Sequence, residues 1–119
     1  MVGRRHPERF SGVRRKAALP LVDRLAWINE EVFAGVLAQR MAADLVRIAR
    51  DWKLDVVVRE LNEFGGYIAA EALGLPHATV QISAFKPFYW RDDALDRQLD
   101  RWRAEYGLAS DSDLKRLYH

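Results

Sequence analysis

The sequence predicts an α/β protein built around one strand–helix–strand unit, and three local observations carry that expectation. Asp55-Val56-Val57-Val58-Arg59-Glu60 is a short β-branched run without polar alternation, the pattern of a parallel strand buried on both faces. Ala78-Thr79-Val80-Gln81-Ile82-Ser83 is a second run suited to a strand. Between them Asn62 can cap a helix over residues 63–73, and Gly74 with Pro76 supplies its C-terminal stop. A parallel pair joined in this way is a compact βαβ unit with an expected right-handed crossover.

The elements around this unit follow from periodicity. Gly3-Arg4-Arg5-His6-Pro7-Glu8-Arg9-Phe10-Ser11-Gly12 holds turn formers and charges without an apolar repeat, so residues 1–19 read as a basic, irregular arm. From Leu21 onward, Leu25, Ile28, Val32 and Val36 recur at helical spacing, and Phe33, Leu37, Met41, Leu45, Ile48 and Trp52 continue a stripe. Gly35 marks a break that makes this one long helix or two. After the second strand, Phe85-Lys86-Pro87-Phe88-Tyr89-Trp90 reads as an aromatic loop, and Leu95, Leu99, Trp102 and Tyr106 mark an amphipathic helix ended by Gly107. Ser110 or Asp111 can cap a last short helix through Tyr118. Strands near 55–60 and 78–83 with flanking helices amount to an incomplete Rossmann-like domain over residues 20–119. Two parallel strands are fewer than a stable sheet needs, which makes the chain part of a domain.

Composition removes several classes of function. The 119 residues include no cysteine, which excludes a disulfide framework, a thiolate nucleophile and a Cys-rich zinc site, and makes a reducing, cytoplasmic setting the default. No apolar run approaches the ~18 residues of a membrane span, and the basic start has no apolar segment after it, so neither a membrane partner nor a secretory signal is expected. Residues 1–16 carry six Arg/Lys and one Glu, against thirteen and sixteen in the remainder. The overall charge of +2 therefore describes a basic arm on a mildly acidic body. Without a helix-turn-helix pattern or interleaved stacking aromatics, the arm does not read as a nucleic-acid site.

Catalytic and cofactor signatures are sparse: Gly-x-Gly-x-x-Gly, Gly-x4-Gly-Lys-Ser/Thr, His-Glu-x-x-His and Gly-x-Ser-x-Gly are all missing, and no cofactor or metal is expected. His6 in the arm and His119 at the end read as solvated bystanders. His77 reads as a structural histidine, since no Ser or Cys nucleophile accompanies it. Glu60 carries more interest, because ligands of open α/β sheets bind beyond the carboxyl ends of the strands. A carboxylate there can orient an imidazole or accept a ligand hydroxyl; it can equally be a solvated strand-end acid. Gly65 and Gly66 lower helix propensity in the first turn of their helix, which points to a close approach by a strand or ligand, or to packing alone. The aromatic loop is either hydrophobic cover for the sheet or the wall of an apolar pocket.

The stretch Leu54-Asp55-Val56-Val57-Val58-Arg59-Glu60, with Asn62-Glu63-Phe64-Gly65-Gly66-Tyr67-Ile68-Ala69-Ala70-Glu71-Ala72-Leu73-Gly74-Leu75-Pro76-His77-Ala78, resembles the acceptor-side N-terminal domain of bacterial GT-B-fold glycosyltransferases. These belong to the UDP-glucuronosyl/UDP-glucosyltransferase family, of the macrolide and natural-product type. There a Pro-Asp-Leu-Val-Val strand ends in an acidic residue, and an Ala-Ala-Glu helix runs into Gly-Ile/Leu-Pro and the next strand. Arg50-Asp51-Trp52 and Arg101-Trp102-Arg103-Ala104-Glu105-Tyr106-Gly107-Leu108 are similar to the same family, so the likeness covers about 65 residues.

The resemblance implies inverting transfer of a hexosyl group from a nucleotide sugar to an acceptor hydroxyl, with a histidine as base and a carboxylate as its orienter. Glu60 is the implied orienter, and Asn62, Phe64, Phe85, Phe88, Tyr89 and Trp90 the implied acceptor-binding set. Leu54 replaces the family's Pro, and Glu60 stands where Asp is more frequent. No Gly-His-x-x-Pro-like turn supplies the base, and the donor-binding domain would follow His119. The implied protein is a transferase fragment, inactive alone, that meets a hydroxylated small-molecule acceptor weakly and a nucleotide sugar only in a full-length relative. The alternative is a small non-enzymatic α/β interaction protein that uses its basic arm and self-associates through exposed strand edges.

Overall fold

A computed structural model of the chain describes residues 19–81 and 93–111. The basic arm up to residue 18, the aromatic loop and the expected last helix lie outside the described residues. Those described form a mixed α/β unit with a two-stranded parallel sheet.

The first helical stretch begins after Pro20, which cannot donate a backbone hydrogen bond and whose carbonyl accepts from the Arg24 amide at 3.0 Å. It runs as α1 (Leu21–Trp27), continues as a π-wound segment π1 (Ile28–Leu37) and resumes as α2 (Ala38–Asp51). The break falls at Gly35, with φ −88° and ψ −105°, where the sequence anticipates it. The kink is braced from outside: the Trp102 indole N–H donates to the Ala34 carbonyl at 2.7 Å. The buried face differs from the expected stripe. Ala34, Ala38 and Ala42 are buried, while Phe33, Leu37, Met41, Ile48 and Trp52 remain exposed. Small residues turn inward because a neighbouring helix crosses α2 closely there.

That neighbour is α3 (Phe64–Ala72), which follows β1 (Val57–Glu60) and precedes β2 (His77–Val80). Every residue from Phe64 to Ala70 is buried, so α3 is a central helix covered by α2, β1 and α4 (Asp93–Glu105). A Cβ added to Gly65 would lie 2.5 Å from Met41 Cβ and 2.7 Å from the Ala38 carbonyl oxygen. Helix packing therefore explains Gly65, which approaches α2. The cap also differs from expectation: Glu63, and not Asn62, caps α3 with its carboxylate. At the other end, Gly74 has φ +67°, its amide donates to the Glu71 carbonyl and the Leu75 amide donates to the Ala70 carbonyl, a Schellman stop. Gly107, at φ +70°, ends α4 in the same way.

The strands pair in parallel with Val57 opposite His77 and Glu60 opposite Val80. β1 is shorter than expected and β2 begins one residue earlier, at His77; among the described residues pairing runs from Val57 to Val80. The expectation of a strand buried on both faces is corrected. Val57 and Arg59 turn toward α3, whereas Val58 is 63% exposed and Val80 is 50% exposed on the open face. The core lies on the covered side, where Ala34, Ala38 and Ala42 meet Phe64, Tyr67, Ile68, Leu99 and Trp102. No helix of the described residues is long and apolar enough to cross a membrane.

Candidate functional site

The carboxyl end of β1 enters α3 through a tight loop, and three charged residues fix its shape. Glu60 Oε2 accepts the Asn62 backbone N–H at 2.8 Å, and the Glu63 N–H donates to the Glu60 carbonyl at 3.1 Å. Glu63 then turns its carboxylate back on the helix start, with Oε1 accepting from the Gly65 N–H and Oε2 from the Gly66 N–H, both at 2.8 Å. Two of the amide donors that a helix start leaves unpaired are thereby satisfied, and the anion sits at the positive end of the helix dipole. A side chain on Gly66 would displace this carboxylate, since its Cβ would meet Glu63 Oε2. Gly66 keeps room for the cap.

Arg59 completes the loop from beneath. Its side chain is directed inward by strand alternation, and Nη1 donates to the carbonyls of Glu63 at 3.0 Å, Glu60 at 3.2 Å and Leu61 at 3.4 Å. Its guanidinium carbon lies 5.7 Å from the centre of the Tyr67 ring. One guanidinium thus gathers the backbone carbonyls of a loop whose amides are held by Glu60 and Glu63.

Above this loop lies a cleft of about 260 Å³ between the kinked helix and the carboxyl end of β1. Phe33, Leu37 and Met41 form one wall; Arg40 and Asp44 stand on the same helix, and Glu60, Asn62 and Glu63 supply the other side. Three of the apolar residues left outside the core, Phe33, Leu37 and Met41, line it. Of the sequence-derived site residues, Glu60 and Asn62 come together here. Phe64 is 3% exposed and belongs to the core, so it supports the loop and does not line the cleft. Phe85, Phe88, Tyr89 and Trp90 lie outside the described residues.

His77 stands at the other end of the sheet. It opens β2 opposite Val57, three register steps before the level of Glu60, or roughly 10 Å along the strand direction. No imidazole–carboxylate pair forms between the two. His77 instead meets Tyr67 edge-on, with ring centres 5.8 Å apart and planes at 72°, and places Nε2 3.8 Å from Glu71 Oε1. Burial first, and the nearby Arg59 charge second, hold its pKa below the ordinary 6.5 against the pull of Glu71.

This contact opens onto a buried polar network without any sequence motif to announce it. Arg103 of α4 is fully buried; Nη1 donates to the Tyr67 hydroxyl at 2.6 Å and lies 2.7 Å from Glu71 Oε2, while Nε donates to the Ala109 carbonyl at 2.7 Å. The Tyr67 hydroxyl in turn donates to Asp111 Oδ2 at 2.7 Å. Burial first, then the bond to Asp111, pushes the Tyr67 pKa far above the ordinary phenol value, so its O–H stays a donor. Burial alone would lower Arg103, but its bond to Glu71, reinforced by the charge interactions with Tyr67, Glu71 and Asp111, outweighs that and raises it. Among the described residues no cluster of three or more His, Cys, Asp or Glu side chains is placed to hold a metal.

Compared with protein-family models, curated proteins and solved structures, the chain matches none. Geometry alone therefore defines the class: a mixed α/β unit with a cleft, part apolar and part acidic, at the carboxyl end of its first strand.

Proposed function

We propose that residues 20–119 form the acceptor side of a Rossmann-like, GT-B-type glycosyltransferase domain, and that its cleft takes a hydroxylated, largely apolar small molecule. The observation that carries this reading is the placement of Glu60: a carboxylate at the carboxyl end of a parallel strand, facing the apolar wall of Phe33, Leu37 and Met41. The Asn62 N–H holds one carboxylate oxygen and leaves the second to accept from a hydroxyl or from an imidazole N–H. In the inverting reaction of such enzymes an imidazole would take the acceptor proton while Glu60 orients the ring and stabilises the imidazolium. None of His6, His77 and His119 occupies the base motif, so the chain by itself binds the acceptor and transfers nothing.

A single open cleft supports an affinity no tighter than about 1 mM, or roughly 4 kcal/mol. Titration with flavonoid or macrolide aglycones, followed by amide chemical shifts, should move Leu37, Met41, Glu60 and Asn62 together. Glu60→Gln should weaken the response to a hydroxylated ligand more than to its deoxy analogue. Shifts confined to other surfaces would end this reading.

The second reading, an α/β interaction protein, is favoured by the open face of the sheet, where Val56, Val58 and Val80 are exposed beside strands with few partners. If that face mediates self-association, the chain elutes as an oligomer and Val58→Lys returns it to a monomer. A native chain that is monomeric at high concentration would remove this alternative.

A further inference from the structure

Two guanidiniums and two carboxylates share the buried space around Tyr67, and they balance only while a fifth group stays neutral. That group is His77, whose side chain is 9% exposed. It faces Tyr67 and Glu71 from α3, Arg59 from β1 and Arg103 from α4. Arg103 and Arg59 lie over the same Tyr67 ring, at 5.1 Å and 5.7 Å from its centre. The far end of the network is a piece of main chain. Arg103 holds the Ala109 carbonyl, Tyr67 holds Asp111, and Asp100 of α4 accepts both the Asp111 N–H at 3.1 Å and the Ser110 hydroxyl. The course of the chain after α4 thus depends on side chains packed beneath it.

We propose that His77 is the proton-operated trigger of a latch that fastens residues 109–111 to α3 and α4. A proton taken from solvent by the imidazole puts a third positive charge beside Arg59 and Arg103. It also gives Glu71 Oε1, 3.8 Å away, a new cationic partner that competes with Arg103 for the same carboxylate. Arg103 is the member that touches both α3 and the segment, so a weaker hold on Glu71 loosens Tyr67 and Ala109 together. The direction follows from burial: the closed latch disfavours the imidazolium, so the released chain binds the proton more readily. The contribution of His77 to closure is therefore complete above the ordinary 6.5 and is lost as pH falls below it. The latch lies at the amino end of β2, away from the cleft, and stands whether or not the cleft binds an acceptor.

The test is amide hydrogen exchange of the whole chain from pH 7.5 to 5.5, expressed as protection so that the intrinsic pH dependence of exchange cancels. Leu108, whose N–H donates to the Arg103 carbonyl, and Asp111 should lose protection over this range while Ala42, fully buried within α2, keeps it. His77→Gln should keep protection at Leu108 and Asp111 flat. If that variant does not fold, Asp111→Asn replaces it: with the Tyr67 acceptor weakened, residue 108 should already be poorly protected at pH 7.5 and respond little to acid. Unchanged wild-type protection at Leu108 and Asp111, an equal loss in His77→Gln, or simultaneous loss at Ala42 would each overturn the latch.

Discussion

Arg103→Met should destabilise the chain by about 3–5 kcal/mol, a large share of the stability of a unit this size. The guanidinium is fully buried and makes three polar contacts of 2.7 Å or less, to Glu71, Tyr67 and the Ala109 carbonyl. Met fills similar volume but leaves the Glu71 carboxylate, the Tyr67 oxygen and the Ala109 carbonyl without that donor. Asp111 keeps its bond from Tyr67 and loses the nearby positive charge. The loss of Arg103 therefore exceeds the net value of the pair, because it is dominated by the anions left behind. Lys should not substitute: it offers a point charge where the site uses separate Nε and Nη1 donors in a fixed plane. Urea unfolding would report the loss as a lower midpoint at an unchanged slope. Arg103→Met combined with Glu71→Met should recover part of it, since the double variant removes the stranded charge along with its partner. A loss below about 1 kcal/mol would mean that the network exchanges freely with water and organises nothing.

The parts of this fold legible in the sequence are those specified by short-range chemistry. The β-branched run gave β1, the Gly-Leu-Pro turn gave the end of α3, and Gly35 located the kink, because each depends on a residue's own backbone preferences. Capping was harder: Asn62 is the stronger N-cap by propensity, yet Glu63 reaches both Gly65 and Gly66, whose missing side chains leave it room. The inward face of α2 was not legible either. Leu37 and Met41 match a hydrophobic stripe better than Ala38 and Ala42 do, but the crossing of α3 at Gly65 selects for small size above apolar area. For the candidate site, strand-end logic reached Glu60 and the family resemblance reached Asn62, while Phe33, Leu37 and Met41, legible only as members of a helical stripe, line the cleft. Arg59 carried one readable signal, its two-residue spacing from buried Val57, which places a charge on the covered face of β1. Arg103 carried none, since its partners Tyr67 and Glu71 lie more than thirty residues earlier.

Gly65→Ala should destabilise the chain by about 2 kcal/mol or more, although the same exchange in an exposed helix stabilises by roughly 1 kcal/mol. The reversal comes from what the new methyl would meet: Met41 Cβ at 2.5 Å, the Ala38 carbonyl oxygen at 2.7 Å and the Ala42 amide nitrogen at 2.9 Å. Two of these are main-chain atoms of α2 and the third is fixed to it, so no rotamer change relieves the clash and the helices must move apart. Gly66→Ala provides the internal contrast. Its methyl would meet the flexible end of Glu63 first, and next Val57 at 3.4 Å and Arg59 Cβ at 3.6 Å, so it should lose the cap, about 1 kcal/mol, without displacing a helix. Thermal and urea denaturation of the two variants should separate them in that order, and equal losses would refute the close crossing. The effect should also reach the cleft, because α2 carries Met41 and Asp44 along its wall and begins directly after Leu37, while α3 anchors the loop that holds Glu60. Pushing the helices apart widens the distance between apolar wall and carboxylate, so Gly65→Ala should weaken aglycone binding even under conditions where the variant remains fully folded; Gly74→Ala, which strains a backbone at φ +67° but whose methyl meets nothing within 4 Å, should cost about 1 kcal/mol of stability and leave binding by the folded chain unchanged.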